Sequence, residues 1–95
     1  MPELYFQVRW PDGSTDSCYS PSLVVRDYFT AGNTYPLEDF VSRSRQALSI
    51  ASARVRAKYG FGCAAAEAQL ADIERKADGF AGQPDVSVAV DGFHQ

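Results

Sequence analysis

Residues 4–10, Leu-Tyr-Phe-Gln-Val-Arg-Trp, alternate apolar and polar. Leu4, Phe6, Val8 and Trp10 fall on one side, and Tyr5, Gln7 and Arg9 on the other, the signature of a half-buried strand. Pro11-Asp12-Gly13-Ser14 follows as a turn, with Pro presetting φ and Gly accepting a positive one. Residues 15–19 then pair back as the second arm of a hairpin. From Ser20-Pro21-Ser22 the period changes to that of a helix. Ser20 suits the cap and Pro21 the first helical position. Leu23, Val24, Asp27, Tyr28 and Ala31 continue it, and Gly32-Asn33 stop it, predicting a helix over about 21–31.

A second helix opens at Thr34-Tyr35-Pro36, with Glu38 and Asp39 where the helix dipole favours anions. Leu37, Phe40, Val41, Ser44, Leu48, Ala51, Val55 and Tyr59 recur at three- and four-residue steps. That pattern predicts a helix of about 23 residues, roughly 34 Å long, ended by Gly60-Phe61-Gly62. A third helix runs from Cys63 to Ala77, with Ala66, Leu70, Ile73 and Ala77 as a narrow stripe that suits close packing on the second. Residues 84–90 alternate again through Val86, Val88 and Val90, predicting a last strand. Asp91 to Gln95 is expected to be a loose tail. The order β-β-α-α-α-β gives a single α+β domain, residues 1–95, with a small, mainly antiparallel sheet packed on helices.

Composition narrows the function. The chain has 95 residues, 45% hydrophobic and 22% charged, which is ordinary for one soluble globular domain and too apolar for disorder. A net charge of −3 argues against nucleic acid as a partner. No signal-peptide pattern opens the sequence and no stretch approaches the roughly 20 apolar residues of a membrane span, so a cytoplasmic location is expected. Two cysteines and one histidine are too few for a zinc site, and nothing calls for a cofactor.

The candidate chemistry is sparse. Arg43, Arg45, Arg54, Arg56 and Lys58 are five of the nine cations, and no acid lies between Phe40 and Ala66. At 100° per residue Arg43, Arg54 and Lys58 share one flank, and Arg45 and Arg56 another. Such a face either meets an acidic or phosphate-bearing partner or only solvates a long helix. Cys63 at a helix N-terminus is either a reactive thiol or a small buried hydrophobe, and Cys18 poses the same alternative. Ser20 and Ser22 beside a helix start offer an anion site or plain capping. His94, next to the last residue, is badly placed for a general base. No catalytic constellation emerges. Tyr5, Trp10, Tyr19, Tyr28, Phe29, Tyr35, Phe40, Tyr59 and Phe61 are more rings than one small core holds, so some are expected on an exposed face fit for a partner.

The opening Met1-Pro2-Glu3-Leu4-Tyr5-Phe6-Gln7-Val8-Arg9-Trp10-Pro11-Asp12-Gly13, the segment from Cys18 to Val25 and the segment Ala53 to Phe61 resemble a small bacterial family labelled nitrogen starvation response proteins. The resemblance covers nearly the whole chain, Asp91 to Gln95 excepted. It implies a role beside gene clusters that encode a nitrilase, a radical SAM-type protein, an acetyltransferase-like protein, a synthase-like protein and a flavoprotein, some linked to cyanide or nitrile assimilation. It assigns no active-site residue. The expectation is therefore a non-catalytic accessory or interaction protein, a homodimer or bound to a partner from such a cluster. The alternative is a small anion-binding or thiol-dependent protein built on Cys18, Ser20, Ser22 and Cys63.

Overall fold

The computed structural model describes residues 2–95. Its elements are β1 (Leu4–Arg9), β2 (Thr15–Ser20), α1 (Val25–Tyr28), β3 (Asn33–Pro36), α2 (Leu37–Tyr59), α3 (Ala64–Asp78) and β4 (Ser87–His94). The predicted order holds, with one further strand, β3, between the first two helices. The four strands form one antiparallel sheet in the order β2-β1-β4-β3.

The hairpin forms as its sequence dictates. The Trp10 N–H donates to the Ser14 carbonyl at 2.8 Å, and the Gly13 N–H to the Trp10 carbonyl at 2.9 Å. Asp12 Oδ1 accepts from both the N–H and the hydroxyl of Ser14, and Gly13 takes φ 87°. Alternation then sends Leu4, Phe6, Val8 and Cys18 inward.

The first helix is shorter than the sequence predicts. Only Val25–Tyr28 is helical. Upstream, Ser20 Oγ donates to the Ser22 carbonyl at 2.7 Å, and Ser22 Oγ accepts from the Val24 N–H at 3.2 Å. These local bonds hold the backbone in turns and displace helical ones. Downstream, Phe29 is extended (φ −131°, ψ 143°), which carries its ring into the core. Residues 33–36, read from sequence as a helix cap and opening, instead pair with β4. Sheet pairing overrides local propensity there, and Pro36 sits at the end of an edge strand, where its missing N–H costs no ladder bond.

The second and third helices match their patterns. Gly60 closes α2 in the left-handed region, its N–H donating to the Arg56 carbonyl at 2.8 Å. Ala66, Ile73 and Ala77 of α3 are buried, and Leu70 packs beside them.

The C-terminus corrects the sequence reading outright. Asp91, Gly92, Phe93 and His94 are strand, with Phe93 opposite Phe6 and His94 opposite Tyr5. A β-bulge explains why alternation misses them. Gln7 faces Gly92 whereas Val8 faces Val90, so Asp91 is an extra residue on β4. One inserted residue reverses the parity, sending Phe93 to the core side after Val88 and Val90. Asp91 meets Arg9 at 2.9 Å.

The core lies between the sheet and the helices. Phe29 is its hub, with ring centroids 5.8 Å from Phe6, 5.2 Å from Tyr35 and 5.3 Å from Phe40. Trp10 joins at 5.6 Å from Phe40. The core thus takes Phe6, Trp10, Phe29, Tyr35 and Phe40, and leaves other rings of the chain outside it.

Candidate interaction surface

The strands of this sheet have at most eight residues, about 26 Å, whereas α2 has 23, about 34 Å. The last buried residue of α2 is Ala51, so its last two turns overhang the core they extend from. Phe40, Leu48 and Ala51 are buried, but the same apolar stripe runs on through half-buried Val55 to Tyr59, which is 54% exposed. Phe61 in the following turn is 67% exposed. Among the described residues these are the two large hydrophobic side chains left in solvent.

The loop that carries them is fixed. Gly60 takes φ 86°, which L-residues rarely adopt. Gly62 lies so close to α2 that a Cβ there would come 3.0 Å from Ser52 Oγ and 3.1 Å from an Arg56 guanidinium nitrogen. The Cys63 N–H donates to Ser52 Oγ at 3.1 Å. Gly60 and Gly62 thus flank Phe61, and Gly62 holds the turn close against α2.

The five cations of α2 divide into paired and unpaired groups. Arg43 bonds Asp39 at 2.9 Å and the Tyr28 carbonyl at 2.7 Å, and lies over the Tyr35 ring at 5.0 Å. Arg54 donates to Ser22 Oγ at 2.9 Å, so both Arg43 and Arg54 reach toward the α1 side. Arg45 pairs with Glu74 of α3 at 2.8 Å. These contacts put Arg43 and Arg54 on one flank and Arg45 on the other. Arg56 and Lys58 make no ion pair among the described residues. Lys58 Nζ lies 5.5 Å from the Tyr59 ring centroid. The overhanging end therefore combines two exposed rings with two cations in no ion pair among the described residues, and Glu67 lies beside Arg56 at Gly62.

The other sequence candidates are placed elsewhere. Cys18 is buried on β2, and burial pushes its thiol up to about 12, so it supplies no thiolate near neutral pH. Cys63 is half-buried at the start of α3, and both cysteines are free. Ser20 and Ser22 are buried and spent on local bonds and on Arg54. These groups do not converge on one pocket with both thiols.

Two surfaces escaped the sequence reading. On the uncovered side of the sheet, Tyr19, Tyr5 and His94 form a row, with Tyr5 5.6 Å from Tyr19 and 5.3 Å from the His94 ring. Gln7 Nε2 lies 2.7 Å from His94 Nδ1, and burial, with the Glu3 carboxylate next, pushes the Tyr19 phenol up to about 12. The bulge at Asp91 hid this row. The second is a groove of about 760 Å³ at the opposite end of α2, between Leu37, Val41, Phe80 and Val86. Its lining comes from α2, α3 and the loop after α3, and no single periodic segment signals it.

Among the described residues no helix is long and apolar enough to cross a membrane, and no group of three or more His, Cys, Asp or Glu is placed to hold a metal ion. No curated protein and no solved structure gives a significant match to the chain. A family model does: the one described as nitrogen starvation-induced protein NitG matches residues 5–93. That span is almost the whole sequence, and it includes the hairpin from Tyr5 on, the overhanging end of α2 and the bulged β4 as far as Phe93. The chain belongs to the NitG family of nitrogen starvation-induced proteins.

Proposed function

We infer that the protein is a non-catalytic accessory that docks a protein partner during nitrogen starvation through the overhanging end of α2. The observation that carries this is the exposure of Tyr59 at the end of α2 and of Phe61 in the turn after it, which Gly62 and Cys63 hold against Ser52. Solvent-facing aromatic rings beside free cations are what the anchor residues of interfaces look like. The family membership supplies the physiological setting, nitrogen starvation. The sequence resemblance adds the partner class, an enzyme of nitrile or cyanide nitrogen assimilation. The cations Arg56 and Lys58 favour an acidic docking site on that enzyme.

The test is capture from nitrogen-starved cells with the tagged protein and with a Tyr59→Ser, Phe61→Ser variant. The reading expects an enzyme of a nitrilase-encoding cluster in stoichiometric amount with the natural sequence and a loss of at least tenfold with the variant. Equal recovery by both baits contradicts it.

A further inference from the structure

The two ends of α2 are complementary in charge and shape. The far end carries the groove floored by Leu37, Val41, Phe80 and Val86. Glu38, Glu74, Asp78 and Asp85 line it, against a single cation, Arg45, which is taken up by Glu74. Glu38, Asp78 and Asp85 make no ion pair among the described residues. The near end presents Tyr59 and Phe61 with the exposed Arg56 and Lys58, and with Glu67 beside Arg56. An apolar trough with an acidic rim at one end thus matches aromatic knobs with a basic rim at the other.

The helix aligns them. Glu38 and Arg56 stand on one line of α2, as do Val41 and Tyr59, each pair roughly 27 Å apart along the axis and a whole number of turns in rotation. A second copy lying antiparallel therefore brings its Arg56 to within about a turn of Glu38 and its Tyr59 near Val41. The reverse contacts form at the same time. Both contacts are related by one two-fold axis across the middle of α2, so the pair closes and does not grow into a chain.

We propose that the basic aromatic end of α2 docks into the acidic groove of a second copy of this chain, giving an antiparallel two-fold dimer. This rests on the reading of that end as a docking surface and gives it a competing occupant: the dimer buries the residues the enzyme uses, so enzyme capture requires the dimer to open. Charge complementarity of this kind weakens with salt, because the ion pairs at the rim stay exposed.

Sedimentation velocity on the full chain tests it. The expected result is a dimer in dilute salt whose affinity falls at least about tenfold in high salt. Two charge reversals follow: Arg56→Glu with Lys58→Glu, and Glu38→Lys with Asp78→Lys. Each variant alone places like charges at both contacts and is expected to be monomeric. Mixed, the acidic end of one variant meets the groove made basic in the other, and the other's basic end meets an unchanged acidic groove, so the mixture is expected to recover a 1:1 dimer. Recovery on mixing also shows that neither variant is simply unfolded. A monomeric natural protein, variants that dimerise unaided, or a mixture that stays monomeric overturns the proposal. A monomeric natural protein that still captures an enzyme in a Tyr59- and Phe61-dependent way removes the self-pairing and leaves the docking surface standing. A dimer that responds to both reversals while no enzyme is captured does the opposite.

Discussion

The indole N–H of Trp10 donates to Asp16 Oδ2 at 2.8 Å, tying the first strand of the hairpin to the second across its own turn. The same oxygen accepts from Lys76 Nζ of α3 at 2.7 Å. One carboxylate thus joins both strands to a helix from the far half of the chain. Asp16→Ala is expected to cost about 1 kcal/mol through the Trp10 bond, and Asp16→Asn less, because the amide oxygen still accepts from the indole. Denaturant titration of the two variants distinguishes them.

The same pair sets a pH dependence. The Lys76 ammonium holds the Asp16 carboxyl below its usual value, and the Trp10 N–H adds to this. A carboxyl depressed in the folded state stabilises above its unfolded pKa, and that stabilisation is lost as pH falls through the folded one. Asp16 correspondingly raises Lys76, whose contribution holds below the unfolded lysine pKa and disappears as pH rises through the folded value. Thermal unfolding of the natural chain minus that of Asp16→Asn is therefore expected to be flat around neutrality and to shrink at both acid and strongly alkaline pH. A difference independent of pH contradicts the ion pair.

Phe29 packs on Phe6, Tyr35 and Phe40 from an extended segment between α1 and β3. Phe29→Ala is expected to cost about 3–5 kcal/mol, enough to threaten a domain of this size. Phe93, half-buried opposite Phe6, is expected to cost about 2 kcal/mol as Phe93→Ala. Calorimetric melting of the two variants checks both values. A neutral Phe93→Ala would indicate the loose tail that the sequence suggests.

The two thiols are expected to separate kinetically. Cys18 is buried and its thiol raised, whereas Cys63 is half-buried at the exposed end of the molecule. Alkylation of the native protein is expected to label Cys63 first, with Cys18 modified only on unfolding. Mass mapping of partially labelled protein reads this directly.

How far the sequence reached depended on the range of the interactions that decide each segment. Helices α2 and α3 were legible because their apolar stripes and the glycine that ends α2 are local. The hairpin was legible because Pro11-Asp12-Gly13-Ser14 bonds within itself. β3 was hidden because residues 33–36 acquire their conformation only from β4, more than fifty residues later in the chain. The C-terminal half of β4 was hidden because a single bulged residue, Asp91, inverts the alternation by which strands are recognised. Of the basic face, position along the helix was legible but pairing was not. Arg43, Arg45 and Arg54 are spoken for by Asp39, Glu74 and Ser22, partners on α2 itself, on α3 and in the loop before α1. What remains free, Arg56 and Lys58, gained its meaning from the overhang of α2 past the sheet.

The most direct measurement is photo-crosslinking in nitrogen-starved cells from two positions, with benzoylphenylalanine in place of Phe61 or of Ser17. Phe61 lies on the overhanging end and Ser17 on the uncovered side of the sheet, beside Gln7. The account predicts a protein adduct from position 61 and none from position 17. An adduct from position 17 alone would move the docking surface to the sheet and contradict the account.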